Sequence, residues 1–236
     1  MVTSVPDSFK FPDFYKKFIK ADGIPIISSG RVDDLALLKA RSIVAKMLAK
    51  IPEVNKVLIR NNEHILIVGH NEEMSDIPEY KGFDKLVDEK GTILNNRVRG
   101  MGPTLKAPYC SCGEENLLCL NSDRYKGQSV LVHEFAHAIA IIGISYVDTS
   151  FRNCLTTIFL SAKKKGLWRN TYAMANVDEY FAVGVQCWFN VYKKVIPADG
   201  VYNEISNRKE LLFYDPQLYK MLNKYFFEDN SIECCK

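Results

Sequence analysis

Residues 128–143 read QSVLVHEFAHAIAIIG. Apolar side chains fall on nearly every face of this run, which predicts a buried helix from about Gln128 to Ile142, with Gly143 as its stop. His133, Glu134 and His137 interrupt the apolar pattern. Residues four apart share a helix face, so the two imidazoles can meet one tetrahedral ion, with Glu134 beside its open side. Buried imidazoles and a buried carboxylate need a partner, and a zinc ion supplies one. Only four histidines occur, His64, His70, His133 and His137, so two of them meeting a Glu in the order HExxH is poorly explained by chance. The chemistry this implies is hydrolysis of a peptide bond. Glu134 takes a proton from water and passes it to the leaving amine, while zinc polarises the carbonyl.

A catalytic zinc takes a third protein ligand. A His six residues beyond His137 is absent, Gly143 standing there, with Ala140 where that extended motif has Gly. Between Ala138 and Pro197 the acidic residues are Asp148, Asp178 and Glu179. Asp148 lies too near the end of the metal helix and reads as a turn or cap residue. Asp178 and Glu179 share a second expected helix, 175–193, and helical phase alone does not separate them. Tyr172, taken by itself, reads as a residue packed between helices.

The remaining sequence supplies a scaffold. With 236 residues, 47% of them hydrophobic and 25% charged, one core and one catalytic unit are expected. The net charge is +3 and the basic residues are scattered apart from Lys163-Lys164-Lys165, which argues against a nucleic-acid partner. No apolar run of membrane-spanning length is expected, and the start lacks the apolar segment of a signal peptide, so the protein is either cytosolic or has had its signal removed. Cys110, Cys112 and Cys119 crowd one region and Cys234 and Cys235 end the chain. That clustering favours disulfides and a secreted protein.

Helical spacing runs from Phe11 through Ile19 and again from Leu35 to Leu48, the latter capped by Asp33 and Asp34 and ended by Pro52. Lys56–Arg60 and His64–Gly69 read as strands joined at Asn61-Asn62. The segment 71–120 is irregular, helices follow at 151–165 and after Asp215-Pro216, and the class is α+β. Phe181, Trp188 and Phe189 read as core aromatics, His64 and His70 as structural, and Asn203 and Arg208 as surface or pocket residues.

HEFAH together with DEYFA, and Tyr172 seven residues before Glu179, resembles the catalytic domain of anthrax lethal factor and the Pro-Pro endopeptidases of clostridia. EENLLCLNSDRYKGQSVLVHEFAH, GLWRNTYAMANVDEYFAVGVQCWF, YDPQLYKML, FYKKFIKADGIPIISS and SDIPEY extend the likeness over most of the chain. The resemblance implies a zincin-like fold, a small mixed sheet beside a buried HExxH helix and a helical carboxy-terminal half. It implies one domain over 1–236, with 1–105 as scaffold and 106–236 carrying the zinc site. By motif, zinc (Zn2+) falls to His133, His137 and Glu179, Glu134 is the base, and Tyr172 stabilises the oxyanion. The activity implied is that of a secreted zinc endopeptidase of gluzincin type acting on a peptide or protein substrate. Val183 departs from the family, whose members often place a Glu there. It leaves an alternative: a secreted binding or toxin-like protein whose zinc is structural or residual.

Overall fold

The computed structural model describes residues 1–87 and 91–233. Strands β1 (Lys17–Ala21) and β2 (Ile24–Ser28) pair antiparallel around Asp22 and Gly23, whose φ values of 47° and 97° suit a tight hairpin turn. Helix α1 (Asp34–Leu48) follows, its Asp33 side chain accepting from Leu35 N as an N-cap. Pro52 does not end that helix but opens the next, α2 (Pro52–Arg60), from its first position, where a missing N–H costs nothing. Lys56–Arg60 is therefore helical rather than a strand. Asn62, at φ 60°, turns the chain from α2 into β3 (His64–Val68), so Asn61-Asn62 joins a helix to a strand and no hairpin forms there.

β4 (Gly100–Met101) and β5 (Tyr109–Gly113) complete a five-stranded mixed sheet of order β1-β2-β3-β5-β4. The pairs β2·β3 and β3·β5 are parallel and β4·β5 is antiparallel, which leaves β4 as an edge strand. The remaining elements are helical: α3 (Glu114–Leu118), α4 (Val130–Ala138), a π-helical turn (Ile139–Ile144), α5 (Ser145–Val147), α6 (Phe151–Lys164), α7 (Val177–Trp188), α8 (Arg208–Tyr214) and α9 (Pro216–Tyr225). Asp215 caps α9 through its side chain, as Asp-Pro predicts. The fold is α+β.

Both sheet faces are covered, and strand alternation divides the side chains between them. Ile19, Ile26, Ile65, Ile67, Cys110 and Cys112 enter the main core with α1, α4 and α7. Phe18, Ile27, Leu66 and Val68 face a second cluster with Tyr15, Met74, Ile77, Tyr80 and Phe83. This division explains why 11–19 is not a helix: Phe18 and Ile19 serve opposite faces of β1, and pairing with β2 overrides the helical spacing. Much of the irregular 71–120 segment is the cover over the second face.

Gly143 does not stop its helix. A Cβ there would stand 2.5 Å from Val54 Cγ1, so the glycine allows α2 to approach while the chain continues into α5. The stretch Val130–Val147 is in fact long and apolar enough to cross a membrane, contrary to expectation, with a mean hydropathy of 1.7. Since 72% of it is buried inside the protein, it is accounted for as the central core helix.

The cysteine expectation is also corrected. Cys110, Cys112, Cys154 and Cys187 are free thiols. Positions two apart on β5 point to one face, so Cys110 and Cys112 are packed as small apolar residues in the main core, where burial pushes both thiols well up. Cys234 and Cys235 lie outside the described residues.

Two buried acids stand out. Arg99, immediately before β4, donates to Glu115 from Nε (2.6 Å) and Nη2 (2.8 Å) and also to the Gly69 carbonyl (2.9 Å), which ties the edge strand to α3 and to the end of β3. Glu63 is wholly buried without a well-formed hydrogen bond at either oxygen. Burial pushes its carboxyl well above the usual range, and the neighbouring Cys110 thiol offsets this only in part.

Candidate metal centre

α4 begins at Ser129, whose hydroxyl accepts from Val132 N (3.3 Å), and Asn116 Oδ1 accepts from Val130 N (2.8 Å). With its first turn fixed in this way, the helix presents His133 and His137 on one face. The second element is α7, opened by Asn176, whose side chain accepts from Asp178 N (2.9 Å) and Glu179 N (3.0 Å). Glu179 thus stands in the first turn, where the helix dipole favours a carboxylate.

The two helices bring three of the expected residues together. His133 Nε2 lies 2.8 Å from Glu179 Oε2, His137 Nε2 lies 3.6 Å from the same oxygen, and the two Nε2 atoms are 3.3 Å apart. His133, His137 and Glu179 each offer one ligand atom, all within 4.8 Å of one another. A tetrahedral zinc with bonds of about 2.0–2.2 Å separates its ligand atoms by about 3.4 Å. The observed spacings bracket that value, and two imidazoles with one carboxylate suit zinc, so the set fits the ion. Asp178 is held in an ion pair with Arg152, and of the two neighbouring acids Glu179 is the one beside the imidazoles.

The electrostatics describe a site built around a positive charge. Burial alone would lower His133, but its hydrogen bond to Glu179 and the charges of Glu134 and Glu179 push it up to about 8. Burial would raise Glu179, yet the hydrogen bond from His133 and the neighbouring His137 hold its carboxyl far below the usual range. Glu134 is raised by burial, the two imidazoles offsetting this only in part.

These residues line an open cleft of about 590 Å³. β4 and the residues after it, Gly100 to Pro103, form one border, and Tyr125, Tyr192, Val201 and Tyr202 lie on the wall. A Cβ at Gly102 would stand 3.1 Å from His137 Cδ2 and 3.2 Å from Glu134 Oε2, so glycine lets the edge backbone pass close to the site. Tyr172, in a short 3-10 turn, is half-exposed in the cleft. Its backbone N–H donates to the Val201 carbonyl (3.0 Å), and burial and the Glu179 carboxylate raise its phenol.

Other singled-out residues fall elsewhere. His70 Nδ1 pairs with Glu114 (2.8 Å), and Asp148 accepts from Ser150 N (2.9 Å) as a turn residue. Asn203 is buried and accepts from Ile205 N (3.0 Å), while Arg208 stacks over Trp188 at 5.4 Å. Neither lines the cleft. Val183 does, as a buried apolar chain. The residue that reaches the imidazole from α7 is Gln186, whose Oε1 lies 3.0 Å from His133 Nδ1. It was open to prediction, since it stands seven residues after Glu179 and so on the same helix face.

No family model and no curated relative matches the chain. Among solved structures it is similar to the Pro-Pro endopeptidase PPEP-2 from Paenibacillus alvei, with a TM-score of 0.53 and 17% sequence identity over 85% of this chain and 97% of that one. At that identity the likeness is one of fold. It bears on the Pro-Pro endopeptidase side of the resemblance and not on lethal factor.

Proposed function

We propose that this chain is a zinc endopeptidase, with the metal on His133, His137 and Glu179. The observation that carries the reading is the three-ligand cluster beside a buried carboxylate, Glu134, in an open cleft bordered by an edge strand. When bound, zinc supplies Lewis-acid polarisation of the scissile carbonyl and acidifies water. Glu134 accepts the proton of the attacking water and delivers it to the leaving nitrogen. Tyr172 donates its O–H to the oxygen on which charge develops. A substrate peptide lies extended along β4, whose backbone aligns it through main-chain hydrogen bonds.

Glu134→Gln tests the assignment. The variant should bind zinc as the native chain does and lose chelator-sensitive cleavage of a peptide library; retained cleavage overturns Glu134 as the base. The apolar Val183 supports a second reading, a zinc-binding secreted protein without turnover, and native protein that holds zinc yet cleaves nothing in that library would favour it. Secretion belongs to the proposal on either reading, on the crowding of cysteines in the sequence. The mass of the unreduced protein from its native source checks it, a fully reduced chain counting against an oxidising compartment.

A further inference from the structure

Gln186 is wholly buried on α7, and its amide is held at both ends. Nε2 donates to the Ser129 carbonyl (3.0 Å) and to Gln128 Oε1 (3.2 Å), while Oε1 faces His133 Nδ1 at 3.0 Å. Gln128 is anchored in turn, its Nε2 donating to Tyr202 Oη on the cleft wall (2.7 Å). Amide oxygen and nitrogen are told apart by such networks. The Ser129 carbonyl can only accept, so the NH2 end must point to it, and the oxygen must then point to His133. An oxygen acceptor there requires a proton on Nδ1, which leaves Nε2 as the nitrogen free for a ligand bond.

We propose that Gln186 is a positioning residue for the metal centre: it fixes the tautomer and ring plane of His133 from two turns beyond Glu179. It thereby does the work that a carboxylate would do at the apolar position Val183. Ligating histidines generally donate their second N–H to such a partner, and losing it typically weakens metal binding about 10- to 100-fold. The inference rests on the zinc reading, and it also accounts for an amide here. A carboxylate at 186 would set an unpaired negative oxygen against the Ser129 carbonyl and Gln128 Oε1.

The test compares zinc affinity of native protein and Gln186→Met by competition with a chromophoric chelator. Met keeps the length and burial of the side chain and removes the acceptor. A loss of about 10- to 100-fold is expected, with the metal-free variant still folded by circular dichroism. An unchanged affinity overturns the proposal. A native chain that binds no zinc overturns the proposed function instead, and a second measurement then decides the role of Gln186. In metal-free native protein, with both ring nitrogens of His133 protonated, nitrogen-15 NMR should show an Nδ1 proton protected from exchange by its bond to Gln186. Rapid exchange of that proton in the native chain would overturn the positioning role, and this measurement needs no variant to fold.

Discussion

The Tyr172 ring lies 6.1 Å from the His133 imidazole, with the two planes 30° apart. The same tyrosine lines the cleft with Glu179, where burial and that residue's charge raise its phenol, and it is not among the three residues of the cluster. Replacing it by Phe should lower kcat by about 10²- to 10³-fold, the usual cost of removing one oxyanion donor. KM and zinc content should stay near native. A matching loss of zinc would mean that Tyr172 supports the ligands instead.

Zinc should stabilise the fold, because the three proposed ligands come from α4 and α7, which are adjacent only when the chain is folded. At a free concentration of about 100 times Kd the gain is about 2.7 kcal/mol, or roughly 5–10 °C in Tm for a chain of this size. Thermal melts with and without chelator measure it. Glu179→Ala should abolish most of the difference, and an equal shift in that variant would place the metal elsewhere.

Glu63 makes stability depend on pH. Its folded-state value is raised above an ordinary 4.5, so its favourable contribution is complete below about that pH and is lost as pH climbs towards the raised value. Glu63→Gln keeps the shape and removes the titration. From about pH 5 to about pH 8 the variant should gain on the native protein by at least about 1.4 kcal/mol, the equivalent of one tenfold change in proton affinity. Parallel unfolding curves at the two pH values would show that Glu63 is hydrated after all.

Arg99→Met should be among the most damaging changes outside the cleft. It strands Glu115, whose side chain is only 5% exposed, and frees the Gly69 carbonyl. Breaking a buried pair in this way costs about 3–5 kcal/mol. Urea denaturation gives the number, and a change under about 1 kcal/mol would mean that water replaces the guanidinium at little cost.

What the sequence disclosed was chiefly what local chemistry dictates. HEFAH fixed the spacing of two imidazoles on one helix face, Asp33 and Asp215-Pro216 announced their caps, and the separation of Tyr172 from Glu179 carried a family pattern. What it hid was decided by distant pairing. The Asp22-Gly23 turn is a strong hairpin signal, yet the spacing of the aromatics before it imitates a helix. Lys56–Arg60 has the apolar content of a strand, and only its packing as α2 against Gly143 shows otherwise. Asp178 and Glu179 are neighbours in sequence, and Arg152, 26 residues earlier than Asp178, holds the first in an ion pair away from the histidines. Cys110 and Cys112 read as loop cysteines because nothing near them says that β3 and β4 will flank them.

Those two thiols sit at the centre of the sheet, sealed from water and held in the unreactive protonated form. An alkylating reagent can reach them only when the strands part. The folded chain should therefore surrender Cys154 at once and Cys110 and Cys112 only at the pace of its own opening. The rate at which those two sulfurs become labelled is a built-in clock for how often the heart of this protein comes apart.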